Sequence, residues 1–284
     1  MDFTNAQRAE ILVQALPYIE KYHNKIVVVK YGGNAMIDPE LKKSVMRDIV
    51  LLHLVGLKVV LIHGGGPEIS GLLKLVGKES EFVNGLRVTD EETAEYVQMV
   101  LAGKVNKSLV NMIGSFGGKA IGLSGIDGQM LKATMQDEAL GFVGSIQHVD
   151  PQLILDVLDK GYIPVVSTVA CDKDGNVYNV NADTAAAEIA GALGAETLIS
   201  MTDIAGLLRD VHDPDSLIKT VTIEDVKRYK QDGIIQGGMI PKVDCCVHAL
   251  HCGVHKVFII DGRVPHSIII EILTDEGMGT MFIQ

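Results

Sequence analysis

Val27-Val28-Val29-Lys30-Tyr31-Gly32-Gly33 ends an apolar run on a lysine and two glycines, and a second run, Val59-Val60-Leu61-Ile62, ends on His63-Gly64-Gly65-Gly66. Each glycine cluster leaves the C-terminal end of a buried strand and leads toward a helix, which is where open α/β sheets bind their ligands. Glycine lets backbone N–H groups converge on anionic oxygens without a Cβ in the way, and the following helix N-terminus adds positive potential. Two such turns side by side read as an anion cradle. Lys30 adds a full charge to it.

Outward from these turns, strand and helix patterns alternate along the chain. This predicts an α/β fold, an open, mainly parallel sheet with helices on both faces (an αβα sandwich) in two lobes. Strands are expected at 26–30, 58–62, 120–123, 163–166, 197–201 and 256–260. Asp38-Pro39 should cap a helix that Gly56 stops, and Asp150-Pro151 one that Gly161 stops. Thr89-Asp90-Glu91-Glu92 reads as a capping box opening a helix toward Lys104, and Asn106 as the cap of the next. Further helices are expected at 182–193, 223–232 and 240–252, with hairpins around Val143. Residues 1–24 form an N-terminal arm with Leu12, Leu16 and Ile19 at helical spacing and a kink at Pro17. That arm either packs on its own domain or reaches a neighbouring subunit, and periodicity leaves both readings open. The lobes are expected at 25–194 and 195–284.

The chain has 284 residues and a formal net charge of -11. That length suffices for a substantial core, and the acidity argues against a nucleic-acid partner, which calls for basic patches. The N-terminal residues Met1-Asp2-Phe3-Thr4 lack the basic flank and apolar core of a signal peptide, and no apolar run is long enough to span a bilayer, so a cytoplasmic protein is expected. The four cysteines show no disulfide-framework spacing, so free thiols are expected. His248 and Cys252 stand four apart on an expected helix, but paired CxxC spacing is missing and small cysteines commonly pack in helices, so no metal site is assigned.

Competing nucleotide and hydrolase signatures fail. Neither GxxxxGK[ST] nor a GxGxxG after a strand occurs, and the segment nearest to a GxSxG elbow, Gly122-Leu123-Ser124-Gly125-Ile126, lacks the final glycine. Three other constellations remain. Asn84-Gly85-Leu86-Arg87 sets an arginine beside a turn, where a guanidinium can hold a carboxylate through two hydrogen bonds or simply face solvent. Asn179-Val180-Asn181-Ala182-Asp183 puts two amides on one face of an extended segment before a helix, although caps and turns use the same residues. Gly237-Gly238-Met239-Ile240-Pro241-Lys242 is a glycine turn with a lysine in the first helical turn, where the dipole repels it unless an anion is near.

In this order the motifs resemble the amino-acid kinase family, from Lys25 to the C-terminus, and most closely its branch that phosphorylates N-acetyl-L-glutamate. The resemblance implies transfer of the γ-phosphoryl of ATP, with Mg²⁺, to the side-chain carboxylate, in arginine biosynthesis. It implies that Lys30 and Lys242 neutralise the transferring and leaving groups, that Asp183 holds both ammonium groups, and that Gly65, Gly66, Arg87, Asn179 and Asn181 bind the acid. Gly32, Gly33, Gly64 and Gly238 would contact the nucleotide phosphates, and Thr202, Asp203 and Gly206 would lie near its base. The N-terminal extension and the tail 271–281 are similar to those of members inhibited by L-arginine, in which the kinked helix links dimers into a homohexamer. Tyr18, Glu271 and Gly277 are then expected at the arginine site. A kinase of glutamate, aspartate, carbamate or a nucleoside monophosphate, or a non-catalytic arginine-sensing module, stands as the alternative.

Overall fold

The computed structural model describes residues 4–284, so residues 1–3 of the expected arm lie outside the described residues. The strands are β1 (Ile26–Tyr31), β2 (Lys58–His63), β3 (Phe82–Val83), β4 (Leu86–Arg87), β5 (Ala120–Ser124), β6 (Leu131–Met135), β7 (Gly144–Val149), β8 (Ile163–Ser167), β9 (Val169–Cys171), β10 (Val177–Asn179), β11 (Thr197–Thr202), β12 (Thr220–Thr222), β13 (Lys256–Asp261) and β14 (Thr280–Ile283). The helices are α1 (Asn5–Gln14), α2 (Leu16–Tyr22), α3 (Pro39–Leu54), α4 (Gly66–Leu75), α5 (Glu91–Gln98), α6 (Asn106–Ser115), α7 (Gln152–Asp159), α8 (Ala182–Ala192), α9 (Ile223–Gln231), α10 (Met239–His251) and α11 (Ser267–Leu273).

One eight-stranded sheet runs β12-β14-β13-β11-β1-β2-β8-β5. Its pairs are parallel except β13 with β14. The open, mainly parallel sheet read from the sequence is therefore present. β1 pairs with β11 from Val27 opposite Thr197 to Lys30 opposite Ser200, so one sheet continues across residue 194. A second sheet, β10-β9-β6-β7, contains the expected hairpin around Val143, formed by β6 and β7.

Alternation along the strands sorts side chains to two cores. Val27, Val29, Val59 and Leu61 join the core under α3 and α6, whereas Val28, Val60, Ile62 and Leu198 join the one under α8 and α10. Lys30 and Ser200 share parity with Val28 and Leu198, so they face α8 and α10.

Local chemistry fixes the helix ends. Asp38 accepts from the Glu40 and Leu41 amides before Pro39, and Gly56 leaves α3 at φ +98°. Two expected caps are corrected. Asp90, not Thr89, caps α5, accepting from the Thr93 amide, while the Thr89 hydroxyl donates to the Arg87 carbonyl at 2.8 Å. Asn106 caps nothing, because a π-helical segment, Met99–Val105, joins α5 to α6 without a break. Its buried side-chain nitrogen instead reaches the Leu123 and Val165 carbonyls, at 3.1 and 2.8 Å, satisfying acceptors at the sheet.

The N-terminal helix breaks in two at Ala15. Pro17 has no N–H to continue the ladder, which is the physical content of the expected kink. α1 buries no residue, and Ile11, Leu12 and Val13 stay exposed. Among the described residues no helix is long and apolar enough to cross a membrane.

Candidate active site

Lys30, at the end of β1, sends its Nζ to Asp183 Oδ1 at 2.7 Å and to the Met201 carbonyl at 3.1 Å. Asp183 stands in the first turn of α8 because Asn181 caps that helix, accepting from the Asp183 and Thr184 amides. Ser200, paired with Lys30 across β11, donates its hydroxyl to Asp183 at 3.4 Å. Lys242, in the first turn of α10, lines the same small void as Lys30, Asp183 and Ser200. Burial pushes the Asp183 carboxyl up, but the charge and hydrogen bond of Lys30, then Lys242 and Ser200, outweigh it and hold it below its usual range. Two lysines far apart in sequence thus converge on one half-buried carboxylate.

Above this cluster the backbone is open. Gly66 begins α4, and a Cβ placed there would meet nothing within 4 Å. It lines, with Gly64, Gly65, Arg87, Asn179 and Asn181, a cavity of about 190 Å³. That is below the ~300–1,000 Å³ of a drug-sized pocket and suits a small metabolite. Asn181 also lines the neighbouring cavity of about 450 Å³, whose other walls include Asp183, Gly238 and Lys242. The two spaces meet at Asn181, Gly85 and Leu86. A larger cavity of about 650 Å³, lined by Met36, Ile37, Leu75 and Met99, shares none of these residues.

Arg87 is delivered by a tight hairpin. Asn84 and Gly85 have φ +50° and +80°, the pair of left-handed residues that a two-residue turn demands between β3 and β4. Its guanidinium donates to Ser80 Oγ at 2.6 Å, Ser70 Oγ at 2.8 Å and the Gly66 carbonyl at 3.1 Å, and lies 4.7 Å from the Phe82 ring centroid. No carboxylate pairs with it among the described residues. Burial lowers its pKa. Asn179 donates to the Thr89 hydroxyl at 3.3 Å.

Gly32 faces the Lys30 ammonium, since a Cβ there would lie 3.5 Å from Nζ. Gly33, at φ +68°, abuts Asp203, whose carboxylate would be 2.6 Å from an added Cβ. These groups follow β1 and β11, the point where the chain spreads outward on both sides of the sheet, as in nucleotide-binding α/β folds. Thr202 turns its hydroxyl inward, within 3.2 Å of the Ile204 carbonyl. Gly206 packs against Thr280, leaving no room for a side chain.

The tail residues lie elsewhere. Glu271 on α11 accepts from the Met278 and Gly279 amides at 2.8 and 3.0 Å, and Gly277, at φ +50°, sits against its carboxylate. Tyr18 lies half-buried on α2, which packs against α11.

Sequence reasoning missed Ser200, Ser70, Ser80 and Asn106. Strand parity puts Ser200 on the face of Leu198, but only the pairing of β1 with β11 sets it opposite Lys30. The others serve as partners across sequence gaps that no motif spans. His63, fully buried, donates from Nδ1 to the Gly64 carbonyl at 2.8 Å and accepts at Nε2 from the Asn106 side-chain amide at 3.1 Å. Burial lowers its pKa to about 4.

Comparison with known proteins converges with this geometry. The profile of the Amino acid kinase family matches residues 25–261. A protein of Brachyspira hyodysenteriae (strain ATCC 49526 / WA1) called acetylglutamate kinase is 56% identical, with 99% of this chain and 98% of that protein covered. Another so called, from Clostridium beijerinckii (strain ATCC 51743 / NCIMB 8052), is 54% identical, with 98% of both covered. Among solved structures, N-acetylglutamate synthase from Neisseria gonorrhoeae, complexed with coenzyme A and N-acetyl-glutamate, superposes with a TM-score of 0.83 at 26% identity over 97% of this chain. The match spans 63% of that longer synthase chain. The cation cluster at the strand ends, the sheet order and the full-length similarity agree, and the chain belongs to the amino acid kinase family.

Proposed function

We propose that this protein is a cytoplasmic kinase that transfers the γ-phosphoryl group of ATP to the side-chain carboxylate of N-acetyl-L-glutamate, forming an acyl phosphate. The observation that carries this reading is the meeting of Lys30, Asp183 and Lys242 beside the cavity lined by Arg87 and Asn179. A carboxylate acceptor is ionised at neutral pH, so the chemistry asks for no general base, only positioning and charge neutralisation. Lys30 meets the charge on the transferring group, Lys242 meets that on the leaving ADP, and Asp183 keeps both ammonium groups in register. Backbone N–H groups around Gly33 and Gly65 complete the cradle, with Gly32, Gly64 and Gly238 letting phosphate approach. Thr202, Asp203 and Gly206 border the adenine end, although the hydroxyl of Thr202 is already engaged internally. Arg87 takes the α-carboxylate, and Asn179 and Asn181 hold the remaining polar groups of the acid.

Mg²⁺ asks for hard oxygen ligands. The carboxylate of the cluster, Asp183, is engaged by Lys30, so a magnesium ion fits here as part of the nucleotide complex, where it screens phosphate charge.

Regulation by L-arginine is part of the proposal. Tyr18, Glu271 and Gly277 lie around the contact of α2, α11 and the tail, and a carboxylate there suits a guanidinium. The exposed apolar residues of α1 support an arm that joins dimers into a hexamer. An ADP-release assay across N-acetyl-L-glutamate, glutamate, aspartate and carbamate tests the activity. Turnover is expected with the first alone and to fall when arginine is added. Faster turnover of an unacetylated acid would replace the substrate assignment, and no turnover of any would favour a sensing module.

A further inference from the structure

We infer that Glu188, His248 and Cys252 form a transition-metal site, suited to Zn²⁺, that ties α8 to α10. His248 Nε2 lies 2.7 Å from Glu188 Oε1 and 3.5 Å from Cys252 Sγ. All three donor atoms fall within 4.8 Å of one another. An ion with bonds of about 2.0–2.3 Å in tetrahedral geometry holds neighbouring donors roughly 3.3–3.7 Å apart. The His–Cys separation already matches that edge, and Glu188 needs only a small rotation to open the other.

The sequence builds the arrangement in two ways. Spacing of i and i+4 puts His248 and Cys252 on one face of α10, and Cys252 still has helical geometry, its N–H donating to the His248 carbonyl. Gly191 on α8 would bring an added Cβ within 2.4 Å of Cys252 Cβ, so glycine there lets the helices approach and presents Glu188, one turn earlier, to the pair. A surface ion pair between Glu188 and His248 accounts for two of the groups but leaves the aligned thiol unexplained. Imidazole, thiolate and carboxylate together are a zinc-like donor set, poor for Mg²⁺ or Ca²⁺. The imidazole is about half exposed, which leaves water to fill the fourth position. On binding, bonds form from the ion to Cys252 Sγ, His248 Nε2 and a Glu188 carboxylate oxygen; the S–H bond of Cys252 breaks and its proton leaves to solvent, and the Nε2 proton that His248 shares with Glu188 moves to Nδ1 or to solvent, with no change of oxidation state.

The consequence lies in where these helices begin. α8 carries Asp183 in its first turn and α10 carries Lys242 in its own. A metal further along both helices braces the pair that delivers the cluster, without touching a reacting group.

The test uses the full chain, stripped with a chelator and kept reduced, titrated with Co²⁺ and then Zn²⁺. One equivalent of Co²⁺ is expected to give a thiolate-to-cobalt charge-transfer band that Zn²⁺ displaces. Cys252→Ser should abolish the band, while His248→Ala and Glu188→Gln should weaken binding at least tenfold, each keeping a wild-type circular dichroism spectrum. Cys171→Ser and Cys245→Ser should leave it unchanged. Zinc at about a hundredfold excess over its dissociation constant should raise Tm by roughly 5 °C in the wild type and not in Cys252→Ser. Absence of the band at one equivalent, or a band that survives Cys252→Ser, overturns the site.

Discussion

Lys30 and Arg87 are equally buried cations, each 6% exposed, and they differ in what neutralises them. Lys30 has Asp183; Arg87 has hydroxyls, a carbonyl and a ring face. A buried guanidinium without a carboxylate partner is costly to hold and is relieved when an anion arrives. Arg87→Ala is therefore expected to raise KM for the acid acceptor by about 10–10²-fold with little change in kcat. Lys30→Met should lower kcat by about 10²–10³-fold with KM nearly constant. Steady-state kinetics separates the two, and the reverse distribution would exchange their roles. His63 carries a different prediction. Burial keeps its folded pKa near 4, below the unfolded value of 6.5, so the unfolded chain takes up the proton first as pH falls. Its contribution is complete above pH 6.5 and is lost progressively toward pH 4. Asp48, raised by burial to about 6, acts with the opposite sign, since its native carboxyl gains protons more readily. Comparing wild type with His63→Gln cancels that term. Between pH 7 and pH 5 the wild type should lose about 2 kcal/mol more in urea unfolding than the variant.

At the scale of elements, the glycine turns divide into those the packing requires and those that leave space. Gly33 has both a positive φ and a carboxylate against it, whereas Gly66 has neither. Gly66→Ala is expected to hold Tm within about 2 °C of wild type while raising KM for the acid about tenfold, because the methyl enters the 190 Å³ cavity and not the core. A large loss of Tm would mean that the residue is structural. Strand and helix identities were legible here because β1 and β2 are continuous apolar runs and α3 has its cap, proline and terminal glycine in place. The junction of α5 and α6 was not. Asn106 has the composition of a cap, but the carbonyls of Leu123 and Val165, remote in sequence, claim its amide, and the π-helical segment before it removes the helix end it would have capped.

At the scale of the whole molecule, α1 stands apart from the two cores with Leu12 76% and Val13 60% exposed. Removing residues 1–14 should leave the fold and basal turnover intact and lower the mass measured by light scattering to that of a dimer. An unchanged mass would assign the apolar arm another role. The sequence by itself determined six strands of the main sheet, the glycine turns at the strand ends and the lysines beside them, because these follow from local periodicity and from backbone freedom that only glycine supplies. Tertiary structure alone decided which of these meet. The parallel pairing of β1 with β11 and the parity of Lys30 with Val28 aim its ammonium under α8 and α10, where Asp183 and Lys242 arrive from more than 150 residues away, and charge pairing across that distance leaves no trace in any local pattern.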